Sequence, residues 1–273
     1  MSLAAATRSE ITKQFTTSMW WVLAIVLAAY IGFTSAVLGF VFSASATGAL
    51  GEGDGPSFPS DGIAGTLYST ATSVGYVFPL LIGTLLVTSE FRHKTLTPTF
   101  LATPRRSLVL WAKIACGIVV GVLFGVIGIV ASVGPAAGFV SGYGLDTELT
   151  SPDTWALLGR MLLAYVLWVL IGIGVGALVR NQVGAIVGVL VFTQFLEPVA
   201  RAAASFVEGL PDVTRFLPGA ASDILVGASI FSVTPTAANG DTLQWWAGGA
   251  VLLGYAVVFL VLGNLTSWRR DVT

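Results

Sequence analysis

The residues best equipped for recognition gather between 88 and 106, which reads Thr-Ser-Glu-Phe-Arg-His-Lys-Thr-Leu-Thr-Pro-Thr-Phe-Leu-Ala-Thr-Pro-Arg-Arg. The stretch is polar and basic, yet Leu96, Phe100 and Leu101 recur at i, i+4 and i+5 and give it an apolar side. Two readings fit these residues. A short helix lying across a membrane surface would offer its side chains to a partner, whereas a plain basic loop would touch anionic head groups. His93 is the single histidine of the chain. Without a cluster of cysteines or carboxylates around it, it makes a poor metal ligand or catalytic base, and a surface position is expected. The one cysteine, Cys116, excludes an internal disulfide and a thiolate metal cluster.

The elements that position these residues are dictated by composition. Of 273 residues, 55% are hydrophobic and 10% charged, and the mean hydropathy is +0.87. A water-soluble fold has no room to hide so much apolar side chain, so lipid must be the main solvent. The expected class is all-α and polytopic, because only helices or closed barrels satisfy their backbones in a bilayer. Apolar runs of roughly 20 residues mark spans, predicted at about 20–42, 63–88, 108–134, 155–179, 183–206 and 245–265. The fifth is the shortest run, interrupted by Glu197-Pro198, and is expected to continue to Phe206 as a proline-distorted helix.

Charge fixes the expected orientation. Ten of the thirteen Lys/Arg fall on one side: Arg8, Lys13, Arg92, Lys94, Arg105, Arg106, Lys113, Arg180, Arg269 and Arg270. The opposite connections carry Glu52, Asp54, Asp61, Asp146, Glu148 and Asp153. Excess Lys/Arg marks the cytoplasmic face, which predicts both termini inside and an even number of spans. A net charge of -1 gives no footprint for nucleic acid. Residues 3–18 suit an interfacial helix with Ile11 and Phe15 on one side, entering the bilayer at Trp20-Trp21. No removable signal peptide is read in Met1 to Gln14. Loops are expected at 43–62 and 135–153. The 207–244 stretch is expected to be extracytoplasmic or re-entrant, because its apolar piece Ile224 to Val233 is too short to cross.

Within the spans, Gly117, Gly121 and Gly125, Gly172 and Gly176, and Gly184 and Gly188 recur every four residues. Packing within one bundle is expected for all of them, with a dimer face as the alternative. Polar residues inside spans are few: Thr70, Thr72, Ser73, Thr84, Gln194 and, near the outer ends, Arg160 and Glu197. Arg160 is expected to snorkel. Glu197 and Arg201, at i,i+4, are expected to neutralise each other. Arg160, Gln194, Glu197 and Arg201 are the candidates for a pathway or outer gate.

Glu90-Phe91-Arg92-His93-Lys94-Thr95 and Leu101-Ala102-Thr103-Pro104-Arg105-Arg106 resemble the signature of type-2 ABC transporter permeases, the ABC-2 family. The stretch Ser9 to Thr17 before Trp20-Trp21 resembles that family's entry helix, and Arg215-Phe216-Leu217-Pro218-Gly219-Ala220 its outer segment. Lys94 stands where many relatives have glycine. The resemblance implies a permease half, paired with a second copy or a sister permease in the inner (plasma) membrane and served by two ABC ATPase subunits. Residues 90–106 would be the cytoplasmic coupling helix, with Glu90, Phe91, Arg92, His93, Lys94, Thr95, Phe100, Thr103, Pro104, Arg105 and Arg106 as docking residues. Phe91 and Phe100 would be apolar anchors, and Glu90 and Arg92 would pair within the permease or with the ATPase. Export of an amphipathic or apolar cargo is the family expectation.

The sequence contains no G-x-x-x-x-G-K-[ST] loop, so no cofactor is expected in this chain. ATP and magnesium would be bound by the partner. An ion-driven secondary carrier or channel is the first rival. It would be favoured by paired carboxylates or broken helices in the membrane, and none are read here. A membrane-embedded enzyme is the second.

Overall fold

The computed structural model describes residues 2–49, 62–95, 99, 106–179, 181–204, 206, 209–233 and 244–268. Among them there are helices and turns but no strand, and six helical stretches are long and apolar enough to cross a membrane. The chain is an all-α multi-pass membrane protein.

Helix α1 (Leu3–Thr16) starts at Ser2, whose hydroxyl accepts from Ala5 N at 3.3 Å, a usual way to satisfy a free helix-end amide. At its end Trp20 donates its indole N–H to Phe15 O (3.2 Å), and the two rings meet edge to face at 5.0 Å. That corner turns the chain into α2 (Met19–Ala46), the first span.

The second span, predicted as one helix, comes in three pieces: α3 (Ile63–Tyr68), α4 (Thr70–Ser73) and α5 (Val77–Arg92). Hydroxyls gather at the first break. Ser69 bonds Thr66 O at 2.7 Å and Thr72 bonds Ser69 O at 2.9 Å, so side chains compete for the backbone. Pro79 sits in the first turn of α5, where a missing N–H is harmless. Tyr165 donates to Ala71 O at the break (2.8 Å).

The third span lies in α6 (Arg106–Gly142). It continues past its predicted end at 134 and through Pro135, so much of the expected 135–153 loop is helical. The fourth is α7 (Pro152–Leu178), which opens with Ser151 as cap and Pro152 in its first turn. The fifth is α8 (Gln182–Val191), then a π turn (Phe192–Leu196) and α9 (Glu197–Ala203). After α10 (Leu210–Thr214) and α11 (Pro218–Val226), which ends at Gly227 with φ +83, the sixth span is α12 (Trp245–Gly263).

The second and fourth spans form the centre, burying 83% and 67% of their apolar stretches, against 22% for the fifth and for the sixth. The central crossing is made by glycine. A Cβ on Gly172 would overlap Leu80 O, and one on Gly83 would overlap Val169 O. Gly117, Gly121 and Gly125 face Ile173, Val166 and Leu162 of α7, as expected for packing within the bundle. Gly188 departs from that expectation: a Cβ there would meet nothing within 4 Å. Gly172→Ala should therefore lower stability in detergent by about 1–3 kcal/mol through overpacking. Gly188→Ala should leave the thermal midpoint within about a degree. Equal effects from the two would refute this picture of the crossing.

Candidate functional site

Two clusters of buried charge lie at opposite ends of the bundle. The first is at the basic end, where α1, α5 and α6 meet. Lys113, in the second turn of α6, is fully buried. Its ammonium donates to Glu10 Oε2 at 2.7 Å and to Leu86 O at 3.2 Å, and it lies 2.9 Å from Glu90 Oε2. This last contact is an ion pair out of hydrogen-bond alignment, since Glu90 Oε2 has no bonded donor. Lys13 closes the box from α1, 2.7 Å from Glu10 Oε1 and 3.2 Å from Glu90 Oε1. Two cations and two carboxylates thus alternate around a square, and the net charge of the box is zero.

Burial alone would raise the Glu10 carboxyl. Lys113 and Lys13 outweigh it and hold Glu10 below the ordinary carboxylate value. Burial would likewise lower Lys13, and its bonds to the two carboxylates hold it above the ordinary lysine value instead. Glu10 therefore lends stability that is complete above its unfolded value and is lost as pH falls through its lowered folded one. Lys13 lends stability that persists below its unfolded value and is lost only as pH rises through its raised folded one. Both contributions are therefore complete across the neutral range.

The end of α5 shows how the predicted docking residues divide. Thr95 N bonds Glu90 O at 3.1 Å and Lys94 N bonds Phe91 O at 3.3 Å, the paired bonds that close a helix when the next residue is left-handed. Lys94 is that residue, with φ +55, at the place where the resemblance expects glycine. The turn sends Glu90 inward to the ion box and leaves Phe91 partly buried on the core, with Arg92, His93, Lys94 and Thr95 exposed. Phe100, Thr103, Pro104 and Arg105 lie outside the described residues. Arg106 opens α6, and its side chain is also outside them.

The second cluster gathers Ser73, Tyr76, Thr193, Glu197, Arg201 and Asp223. Arg201 pairs with Asp223 at 2.6 Å, not with Glu197 as its i,i+4 spacing predicted. Glu197 is 2% exposed, and its Oε1 accepts from Ala220 N at 3.1 Å in the first turn of α11, a place that favours an anion. Ser73 donates to Asp223 Oδ1 at 3.2 Å. The π turn explains a further bond. In it Glu197 N reaches back five residues to Phe192 O, so Thr193 O faces Pro198, which has no N–H. The hydroxyl of Tyr76 supplies the missing donor at 3.0 Å. Tyr76 stacks on Trp168 at 4.6 Å, whose indole donates to Ser222 at 3.2 Å.

The interruption expected at Glu197-Pro198 is therefore present as a π turn, and beside it gather two carboxylates on separate partners, Glu197 and Asp223, which the sequence did not reveal. Gln194 is exposed on the fifth span, apart from this cluster. Arg160 donates to Ala156 O at 3.3 Å and lies beside Gly227 at the end of α11. No ion pair joins it to Glu197 among the described residues.

Sequence reasoning missed Glu10, Lys113 and Asp223 as members of these sites. For Lys113 a signal existed. A lysine inside an apolar helix needs a partner, and Glu10 and Glu90 are carboxylates expected on the same side. Among the described residues no group of three His, Cys, Asp or Glu could hold a metal. An apolar groove of about 470 Å³ lies along the seam of the first and third spans, lined by Ala28, Gly32, Val126, Val130 and Pro135 among others. No protein-family model matches this chain and no curated protein matches it.

Proposed function

We propose that the chain is the membrane-spanning subunit of an ABC-2 type transporter, driven by a separate ATPase and exporting an amphipathic or apolar cargo across the inner membrane. The observation that carries this reading is the turn at 90–95. It has the family's residue order and closes a central span while turning inward one acidic residue. Arg92, His93 and Lys94 stay free for an outside surface. A rigid turn of exposed cations at the end of the most buried span is suited to receive a push from a soluble partner and pass it to the bundle centre. Two such chains and two ATPases would form the working unit, with ATP and magnesium on the partner.

The test is a mild-detergent pull-down of the tagged chain from its host, beside an Arg92→Ala/His93→Ala variant. A Walker-type ATPase retained by the parent and reduced about tenfold or more in the variant is the expected result. Equal retention would move the docking site elsewhere. Absence of any ATPase from the intact parent would overturn the reading.

A second reading, an ion-driven carrier, draws support from the buried Glu197 and the half-buried Arg201 and Asp223 beside a π turn, since intramembrane charge at a helix break is where coupling ions bind. Uptake into vesicles separates the two. Cargo movement that needs ATP and survives collapse of ion gradients favours the first.

A further inference from the structure

Lys113 and Glu10 have no place in a docking surface, yet they occupy the most enclosed charge cluster at the basic end. The box draws on three elements that are remote in sequence: Glu10 and Lys13 from α1, Glu90 from α5 and Lys113 from α6. Glu90 is also the residue whose carbonyl closes the turn carrying Arg92, His93 and Lys94. A displacement of that turn acts directly on Glu90, and Glu90 is tied to both cations. Lys113 is fully buried, so the loss of either carboxylate would leave its ammonium with one partner fewer and no water to replace it cheaply. Around the box, Ala6 of α1 is buried and α1 packs along α6.

We propose that Glu10 and Lys113 are positioning residues. They clamp the N-terminal helix and the start of the third span to the turn at 90–95, so that the turn moves only by carrying both with it. The proposal rests on the transporter reading for the source of the push, but the clamp itself does not depend on it. An N-terminal helix that merely floated at the interface would need no carboxylate buried beneath a fully enclosed lysine.

The test uses the full chain with Cys116→Ala and a reporter, Ala6→Cys, reacted with a polar maleimide. A second reporter, Ala164→Cys in the fourth span, watches the bundle core. In the parent background both reporters should be protected. The charge-balanced Glu10→Gln/Lys113→Met chain should label about ten times faster or more at the first reporter and stay protected at the second. It should still retain the ATPase through Arg92 and His93, but lose the stimulation of ATP hydrolysis that the parent chain gives the isolated ATPase. Lys113→Arg, which keeps a cation able to reach both carboxylates, should restore protection and stimulation together.

Continued protection of Ala6→Cys in the double variant overturns the clamp. Faster labelling with stimulation intact overturns its part in coupling. If no ATPase accompanies the parent chain, the coupling role falls with the transporter reading, and the labelling arm alone decides the clamp.

Discussion

Lys113→Met alone should be the most damaging single substitution in the molecule, lowering stability in detergent by about 3–5 kcal/mol. The methionine fills the same channel, so packing changes little. What changes is that Glu10 and Glu90, both almost fully buried, face each other with Lys13 as their one remaining cation. Adding Glu10→Gln removes the surplus charge, so the double variant should be more stable than the single. That reversal of the usual additivity is the diagnostic outcome. It is read by thermal unfolding of the purified chain, and a double variant less stable than the single would show that the box is not held by charge balance. The contribution of Glu10 to the parent should be lost in acid, as Glu10 takes up its proton.

The second large effect is expected at the other end. Asp223→Ala removes the partner of Arg201 and the acceptor of Ser73 together, and should cost about 2–3 kcal/mol. The figure is below that for Lys113 because the Arg201 side chain is 25% exposed and water can reach it. Glu197→Gln is the informative companion. An amide oxygen can still accept from Ala220 N, so the thermal midpoint should hold. Loss of cargo movement with stability unchanged would then mark the charge of Glu197 as functional, and would shift the balance toward ion coupling. A midpoint that drops as far as that of Asp223→Ala would show that Glu197 is needed ionised for the fold.

Five of the spans were readable because a bilayer demands length and apolarity and their runs declare both, whereas the fifth had to be extended through Glu197-Pro198. Which faces turn inward was not readable. In lipid the outward face is as apolar as the inward one, so the periodicity that betrays a buried stripe in water is missing. Gly117, Gly121 and Gly125 announced their crossing by spacing, but Gly188, with the same spacing, faces open space. Glu197 and Arg201 illustrate the limit more sharply. Their four-residue separation is a sound local reason to pair, yet α11 brings Asp223 to Arg201 and its own N-terminus to Glu197. Contacts between residues 22 or 103 positions apart carry no local trace. Lys94 shows the converse, a left-handed turn closed at a residue that carries a side chain, where the resemblance leads one to expect glycine.

Helix α6, which holds the third span, has 37 residues, about 55 Å at its usual rise, while the hydrocarbon of a bilayer is about 30 Å thick. Lys113 holds it near one end, and Pro135 interrupts its hydrogen-bond ladder near the other. The stretch between them is a lever some 33 Å long by the same rise, with an ionic fulcrum and a jointed tip. A swing of about five degrees at the fulcrum displaces the tip by about 3 Å, and Val126, Val130 and Pro135 along that arm form one wall of the apolar groove. Such a swing would have to carry the fourth span with it, because Gly117, Gly121 and Gly125 lock the arm onto α7.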